Sequence, residues 1–89
     1  MKNIEYTSQF KRDAKKHYLD LLASEWAEVL NCLVNDISLP EKYRDHALKG
    51  DMKDYRDCHI KPDLVLLYKV TSSTLYLTRL GSHSELSLT

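Results

Sequence analysis

The stretch Leu64-Val65-Leu66-Leu67-Tyr68-Lys69-Val70 decides the fold. A short, nearly continuous apolar run bounded by turn sequences is the pattern of a central strand covered on both faces. Lys61-Pro62-Asp63 before it and Thr71-Ser72-Ser73 after it supply those turns. Upstream, residues 55–60 alternate. Tyr55, Asp57 and His59 fall on one side of a strand, and Arg56, Cys58 and Ile60 on the other. Downstream, residues 74–80 form a last strand, and Gly81 and Ser82 loosen the backbone before His83.

Further toward the N-terminus the period changes. Residues 2–6 alternate, with Ile4 and Tyr6 on one side, and read as a short strand. Thr7 or Ser8 can cap a helix whose apolar stripe is Phe10, Ala14, Tyr18, Leu21 and Leu22. Ser24 reads as the cap of a second helix, with Trp26, Val29, Leu30, Leu33 and Ile37 as its stripe. Glu25 and Glu28 sit where negative charge suits the helix dipole. Pro40 ends this region, and residues 38–53 are mostly polar, with a turn at Gly50-Asp51. The order strand-helix-helix-strand-strand-strand predicts an α+β domain: a helical hairpin on one face of a small, mainly antiparallel sheet. The other face is left for function. One domain over residues 1–89 accounts for the chain, without repeats or linkers.

Composition narrows the class. A chain of 89 residues buries roughly 60–65% of the surface its unfolded form exposes. Hydrophobic residues make up 43% and charged ones 29%, with two Gly and two Pro, which describes a folded domain. No apolar run approaches the roughly 20 residues that cross a bilayer. The opening MKNIEYTSQFKRD holds no apolar stretch like that of a signal peptide, so a cytoplasmic location without membrane attachment is expected. Cys32 and Cys58 are expected to be reduced, buried thiols, since neither belongs to a CxxC pair.

The net charge is zero and the pI about 6.9, which weakens any general attraction to nucleic acid. Distribution matters more than the sum. Lys11, Arg12, Lys15 and Lys16 make a local basic face on the first helix, opposed only by Asp13. Lys42, Arg44, Lys49, Lys53, Arg56 and Lys61 are interleaved with Glu41, Asp45, Asp51, Asp54 and Asp57.

Four histidines stand out. His46, His59 and His83 lie in the second half, together with Asp63 and Arg79. Cleavage of RNA by its own 2′-hydroxyl requires a base, an acid for the leaving oxygen, and positive charge for the crowded phosphate. Histidine suits the proton transfers near neutral pH. His59 and Asp63 also flank a turn and invite comparison with metal ligands, but no tight pair such as HExxH is present. His17 reads as structural or solvent-facing. Plain alternation places Arg79 on the side of Leu75 and Leu77, the face that helices cover.

The ordered segments YRDHALKG (residues 43–50), YRDCHIKPD (55–63), LLYKV (66–70) and TRLGSHSEL (78–86) resemble the signature blocks of YafQ-type mRNA interferase toxins in the RelE/ParE superfamily. The similarity extends through the opening strand and the helical hairpin. It implies a RelE-like fold and a toxin of a type II toxin–antitoxin system, cutting translated mRNA on the ribosome and neutralised by a cognate antitoxin. It further implies that His46, His59, Asp63 and His83 serve cleavage and that Arg79 holds the phosphate. His83 would be the acid, and His59 or His46 the base. No metal or other cofactor is implied. Lys11, Arg12, Lys15, Lys16, Lys49 and Lys53 are the expected contacts to RNA and ribosome. Two positions depart from the family pattern: Leu64 and Ser87 stand where aromatics that stack on bases are expected. Alternative readings are a ParE-like, gyrase-targeting toxin, which would lack the histidine set, and a degenerate module that keeps only antitoxin recognition.

Overall fold

The computed structural model describes residues 1–86. β1 (Asn3–Tyr6) leads into α1 (Ser8–Lys16) and α2 (Ser24–Val34), joined by a 3-10 turn over Asp20–Leu22. β2 (His46–Ala47), β3 (Arg56–Lys61), β4 (Leu64–Val70), β5 (Thr74–Gly81) and a one-turn helix α3 (His83–Leu86) follow. The sheet order is β1-β5-β4-β3-β2, with β1 parallel to β5 and every other pairing antiparallel. The expected α+β hairpin-on-sheet architecture is therefore present, with a fifth strand added. No helix among the described residues is long and apolar enough to cross a membrane.

β4 lies at the centre, and its residues from Leu64 to Tyr68 are all buried. Leu64, Leu66 and Tyr68 join Cys58, Ile60, Leu75, Leu77 and Leu80 beneath Phe10, Trp26, Val29 and Leu33 of the helices. Phe10 and Trp26 stack with ring centroids 6.3 Å apart. Cys32 and Cys58 are free and buried; burial pushes the Cys58 thiol far up from its ordinary value, so it remains protonated.

Caps and breaks explain where the apolar periodicity fails. Thr7 caps α1, its Oγ1 accepting from Phe10 N at 2.9 Å. The helix stops at His17, so Tyr18 and Leu22 leave the buried stripe and are exposed, and only Leu21 still packs on the core. α2 starts one residue earlier than its expected cap implies: Ala23 is the N-cap and Ser24 the first helical residue. α2 ends at Val34, and Asp36 takes a left-handed φ of 56°. Ile37 is consequently exposed. β1 is an edge strand, exposed along its length, so Ile4 and Tyr6 do not join the core. Lys2 does. Its Nζ donates to the carbonyls of Thr71 and Ser72 at 2.7 and 3.1 Å, stitching the N-terminus to the β4–β5 turn.

β5 continues past the end of β1, which would leave backbone groups open. α1 closes that edge. Thr7 N donates to the Leu77 carbonyl, Thr7 Oγ1 to that of Thr78, and Leu80 N donates to Asp13 Oδ2 at 3.0 Å. Such groups, left unpaired in the interior, would each cost about 1–3 kcal/mol.

Candidate functional site

The sheet face away from the helices carries the site, on an apolar floor of Val65 and Leu67. Cross-strand register sets out two rows: His59–Val65–Gly81, and Asp57–Leu67–Arg79. β2 adds His46 directly opposite Asp57. α3 begins at His83, whose ring meets that of His59 edge-on with centroids 4.9 Å apart. The structure thus brings together His46, His59, Asp63, Arg79 and His83, which are spread over 38 positions of sequence.

Arg79 reaches this face through a β-bulge. Leu77 lies opposite Tyr68 and Arg79 opposite Leu67, so Thr78 is an extra residue in β5. The extra residue reverses the alternation and turns Arg79 away from the side of Leu75 and Leu77. Its guanidinium is tied to Asp13, Nε to Oδ2 at 2.9 Å. Burial resists ionisation of Asp13, but the bonds from Arg79, Leu80 N and Gln9 outweigh it and hold the carboxyl below its usual value.

His83 is oriented by Asp63. One carboxylate oxygen accepts from His83 N at 3.3 Å and faces Nδ1 at 3.2 Å, which leaves Nε2 free to meet a ligand. The same bonds lower the Asp63 pKa. His46 is fixed differently, with Nδ1 lying 2.9 Å from the Arg44 carbonyl. A carbonyl only accepts, so Nδ1 carries the hydrogen and Nε2 is the accepting nitrogen. His59 is depressed below 6.5, first by burial and then by the positive charge of His83.

Asp57 was not singled out from sequence, although the alternation that marked His59 placed it on the same side. It is 5% exposed, and its Oδ1 is buried without a hydrogen bond. His46 Nδ1 approaches that oxygen to 3.2 Å, but its hydrogen is directed to the Arg44 carbonyl. Burial raises the Asp57 pKa, while the charges of His46, His59 and His83 pull it back down. Of the three, His46 is the one whose ring nitrogen approaches the carboxylate directly.

Glu85 is a second residue that went unremarked, although Ser82-x-x-Glu85 carries a readable helix-start signal. Glu85 N donates to Ser82 Oγ at 3.1 Å, and Ser82 N to Glu85 Oε1 at 2.8 Å, a reciprocal capping box. The same carboxylate pairs with Lys16 and with His17 Nε2 of α1. Those bonds, led by Lys16, lower Glu85 to about 2. A Cβ at Gly81 would lie 2.9 Å from Glu85 Oε1, so a side chain there would push the carboxylate from its present place.

The remaining basic residues divide. Lys11, Arg12 and Lys15 are exposed on α1, whereas Lys16 is engaged by Glu85. Lys49 and Lys53 are exposed around the 3-10 turn at Gly50–Met52, outside the cleft beside His59 and His83. Leu64 is core, 5% exposed, and Ser87 lies outside the described residues. Among the described residues no three His, Cys, Asp or Glu side chains gather as a metal-binding group.

The model for the YafQ family, described as bacterial toxin of type II toxin–antitoxin system, matches residues 2–88. The mRNA interferase toxin YafQ of Escherichia coli K12 is 38% identical over 88 residues, spanning 96% of this chain and 95% of its own. A metal-bound toxin from Helicobacter pylori superposes with a TM-score of 0.85 at 43% identity, covering 97% of this chain and 99% of that one. A chain of the Escherichia coli DinJ–YafQ complex gives a TM-score of 0.81 at 37% identity, covering 97% and 98%. With the fold, the ordered blocks and nearly the whole length in agreement, the chain belongs to the YafQ family of type II toxin–antitoxin toxins.

Proposed function

We propose that this toxin is an mRNA endoribonuclease that works on the ribosome by metal-independent acid–base catalysis and is silenced by a cognate antitoxin. The observation that carries the reading is the His59–His83 pair, with Asp63 on Nδ1 of His83. Its relative in Escherichia coli bears the name mRNA interferase, and that relative's complex with DinJ supports an antitoxin partner.

His59, held below its ordinary pKa, is neutral near pH 7 and takes the proton of the 2′-hydroxyl. The freed oxygen bonds to phosphorus, the P–O5′ bond breaks, and the 5′ oxygen takes a proton from His83. The products are a 2′,3′-cyclic phosphate and a 5′-hydroxyl. Arg79 offers its guanidinium to the charge that builds on the phosphate. His46 presents Nε2 as a further acceptor beside the 2′-oxygen. A gyrase-targeting toxin would have no use for a His59–His83 pair with a third histidine, His46, on the same sheet face.

The test uses ribosomes programmed with a labelled message, dialysed against a chelator and then restored with magnesium for ribosome integrity. Cleavage at the original rate, with cyclic phosphate ends, is expected. Activity that returns only with zinc or manganese, or 5′-phosphate ends, would overturn the mechanism.

A further inference from the structure

Beside the histidine pair opens a cleft of about 550 Å³, lined by Glu25, Lys42, Tyr43, Arg44, Lys61 and Pro62 together with His59 and His83. Its three cations, Lys42 and Arg44 from one 3-10 turn and its C-cap and Lys61 from β3, face a single lining carboxylate, Glu25. Two of them are already engaged: Lys61 Nζ donates to Asp20 at 2.9 Å, and Lys42 lies 3.6 Å from Glu28 and over the Tyr43 ring. Arg44 makes no ion pair among the described residues, and it is exposed. It follows the 3-10 turn Glu41–Tyr43 with a left-handed φ of 50°. A non-glycine residue in that region is strained and persists only where its surroundings enforce it. Here they do. Tyr43 is buried and bonded to Glu28, Arg44 N donates to the Glu41 carbonyl at 2.9 Å, and the Arg44 carbonyl faces His46 Nδ1. The Arg44 backbone is thus held in place and tied to one site histidine, and its exposed side chain shares a cleft with the other two.

We infer that Arg44 is a phosphate-binding residue, taking a backbone phosphodiester of the RNA that neighbours the one cleaved between His59 and His83. The inference rests on the endoribonuclease reading and adds to it where the strand leaves the site. Planar guanidinium groups donate to phosphate oxygens in bidentate fashion, and a lysine ammonium already committed to a carboxylate has fewer protons left to donate. This selects Arg44 over Lys42 and Lys61. The positive charge of Arg44 also contributes to holding down the pKa of His59, consistent with their shared cleft. The Arg44–Lys42–Lys61 wall was not separated in the sequence from the acidic residues interleaved with it; only the fold does that.

Binding and cleavage can be read apart. Wild type, Arg44→Gln and Arg44→Lys are titrated onto ribosomes programmed with a message whose cleavage site is blocked by 2′-O-methyl, while an unblocked message reports cutting. Folding of each variant is checked by thermal melting. Arg44→Gln is expected to bind about 10-fold more weakly with a salt slope shallower by about one charge, and Arg44→Lys within about threefold of wild type. Neutral methylphosphonates then replace the flanking phosphates one at a time. One linkage should weaken wild type by a similar factor and leave Arg44→Gln unaffected. Equal binding of wild type and Arg44→Gln overturns the proposal, as do effects that multiply at every linkage, since Arg44 would then meet some other charge. If binding depends on Arg44 but the unblocked message stays intact, the phosphate site stands and the nuclease reading falls. If wild type does not bind at all, both fall.

Discussion

At the scale of single residues, opposing environments set the site apart. His59 is pushed toward neutrality by burial and by His83, whereas His83 keeps a carboxylate on Nδ1. Two imidazoles at 4.9 Å resist being charged together, which suits one for the base and one for the acid. Asp57 bears the opposite tension. Its raised pKa means that the ionised carboxylate is less welcome in the fold than in the unfolded chain. That penalty is full above the folded pKa and disappears as pH falls below the unfolded one. Asp57→Asn should therefore melt no lower than wild type at pH 7, with any gain shrinking toward pH 4, yet cut mRNA at least 10-fold more slowly because three histidines lose their shared counter-charge. Thermal melts at the two pH values, alongside single-turnover rates, check both halves. A variant that melts lower and cuts normally would remove Asp57 from the site.

At the scale of elements, small irregularities aim the chemistry. The bulge at Thr78 and the edge contact to Asp13 fix Arg79. Asp13→Ala would leave Leu80 N–H without its acceptor and Arg79 unpaired, at a cost of about 1–3 kcal/mol in stability, measurable by urea unfolding; an unchanged midpoint would show that the edge is not closed by this contact. The capping box of α3 likewise positions His83. Glu85→Ala is expected to slow cleavage about 10-fold with little change in antitoxin affinity, and Glu85→Gln, which can still accept from Ser82 N, to recover part of it. Equal rates for all three proteins would detach α3 from catalysis.

These same elements mark how much was legible in the sequence. The central run of β4 and the two apolar stripes gave the layers, because burial writes itself as periodicity. The reach of α1 was overestimated, since Tyr18 and Leu22 keep helical spacing across a real break at His17. The two-residue β2 left no signal, being too short to alternate. The bulge was written in β5 without being read. Leu75 and Leu77 share one parity and Leu80 the other, and all three are buried, so the apolar phase shifts between them. His46, His59, Asp63 and His83 were identifiable as chemistry-bearing, but Asp57 and Arg44 emerge only from burial and from a strained turn.

At the scale of the whole molecule, the chain holds a proton-transfer set on a surface with little general hold on RNA. Net charge is zero, Lys16 is engaged by Glu85, and Leu64 belongs to the core rather than offering a stacking ring. Positioning a strand elsewhere can be worth orders of magnitude in rate, and the ribosome would supply it. Cutting of a free message should accordingly be at least 100-fold slower than cutting of the same message on programmed ribosomes at equal protein concentration. Comparable rates would mean that the chain carries a complete RNA site of its own.

The central claim, that His59 and His83 exchange protons with the RNA, is tested most directly by single-turnover cleavage on programmed ribosomes across pH, for wild type and His83→Gln. Wild type should lose rate on the acid side only below pH 6.5, where the depressed His59 becomes protonated. His83→Gln should keep an acid limb, moved to higher pH because the His83 charge no longer opposes protonation of His59, while its plateau falls about 10²–10⁴-fold, with antitoxin binding intact. A variant that cuts at the wild-type rate with the wild-type profile would contradict the account.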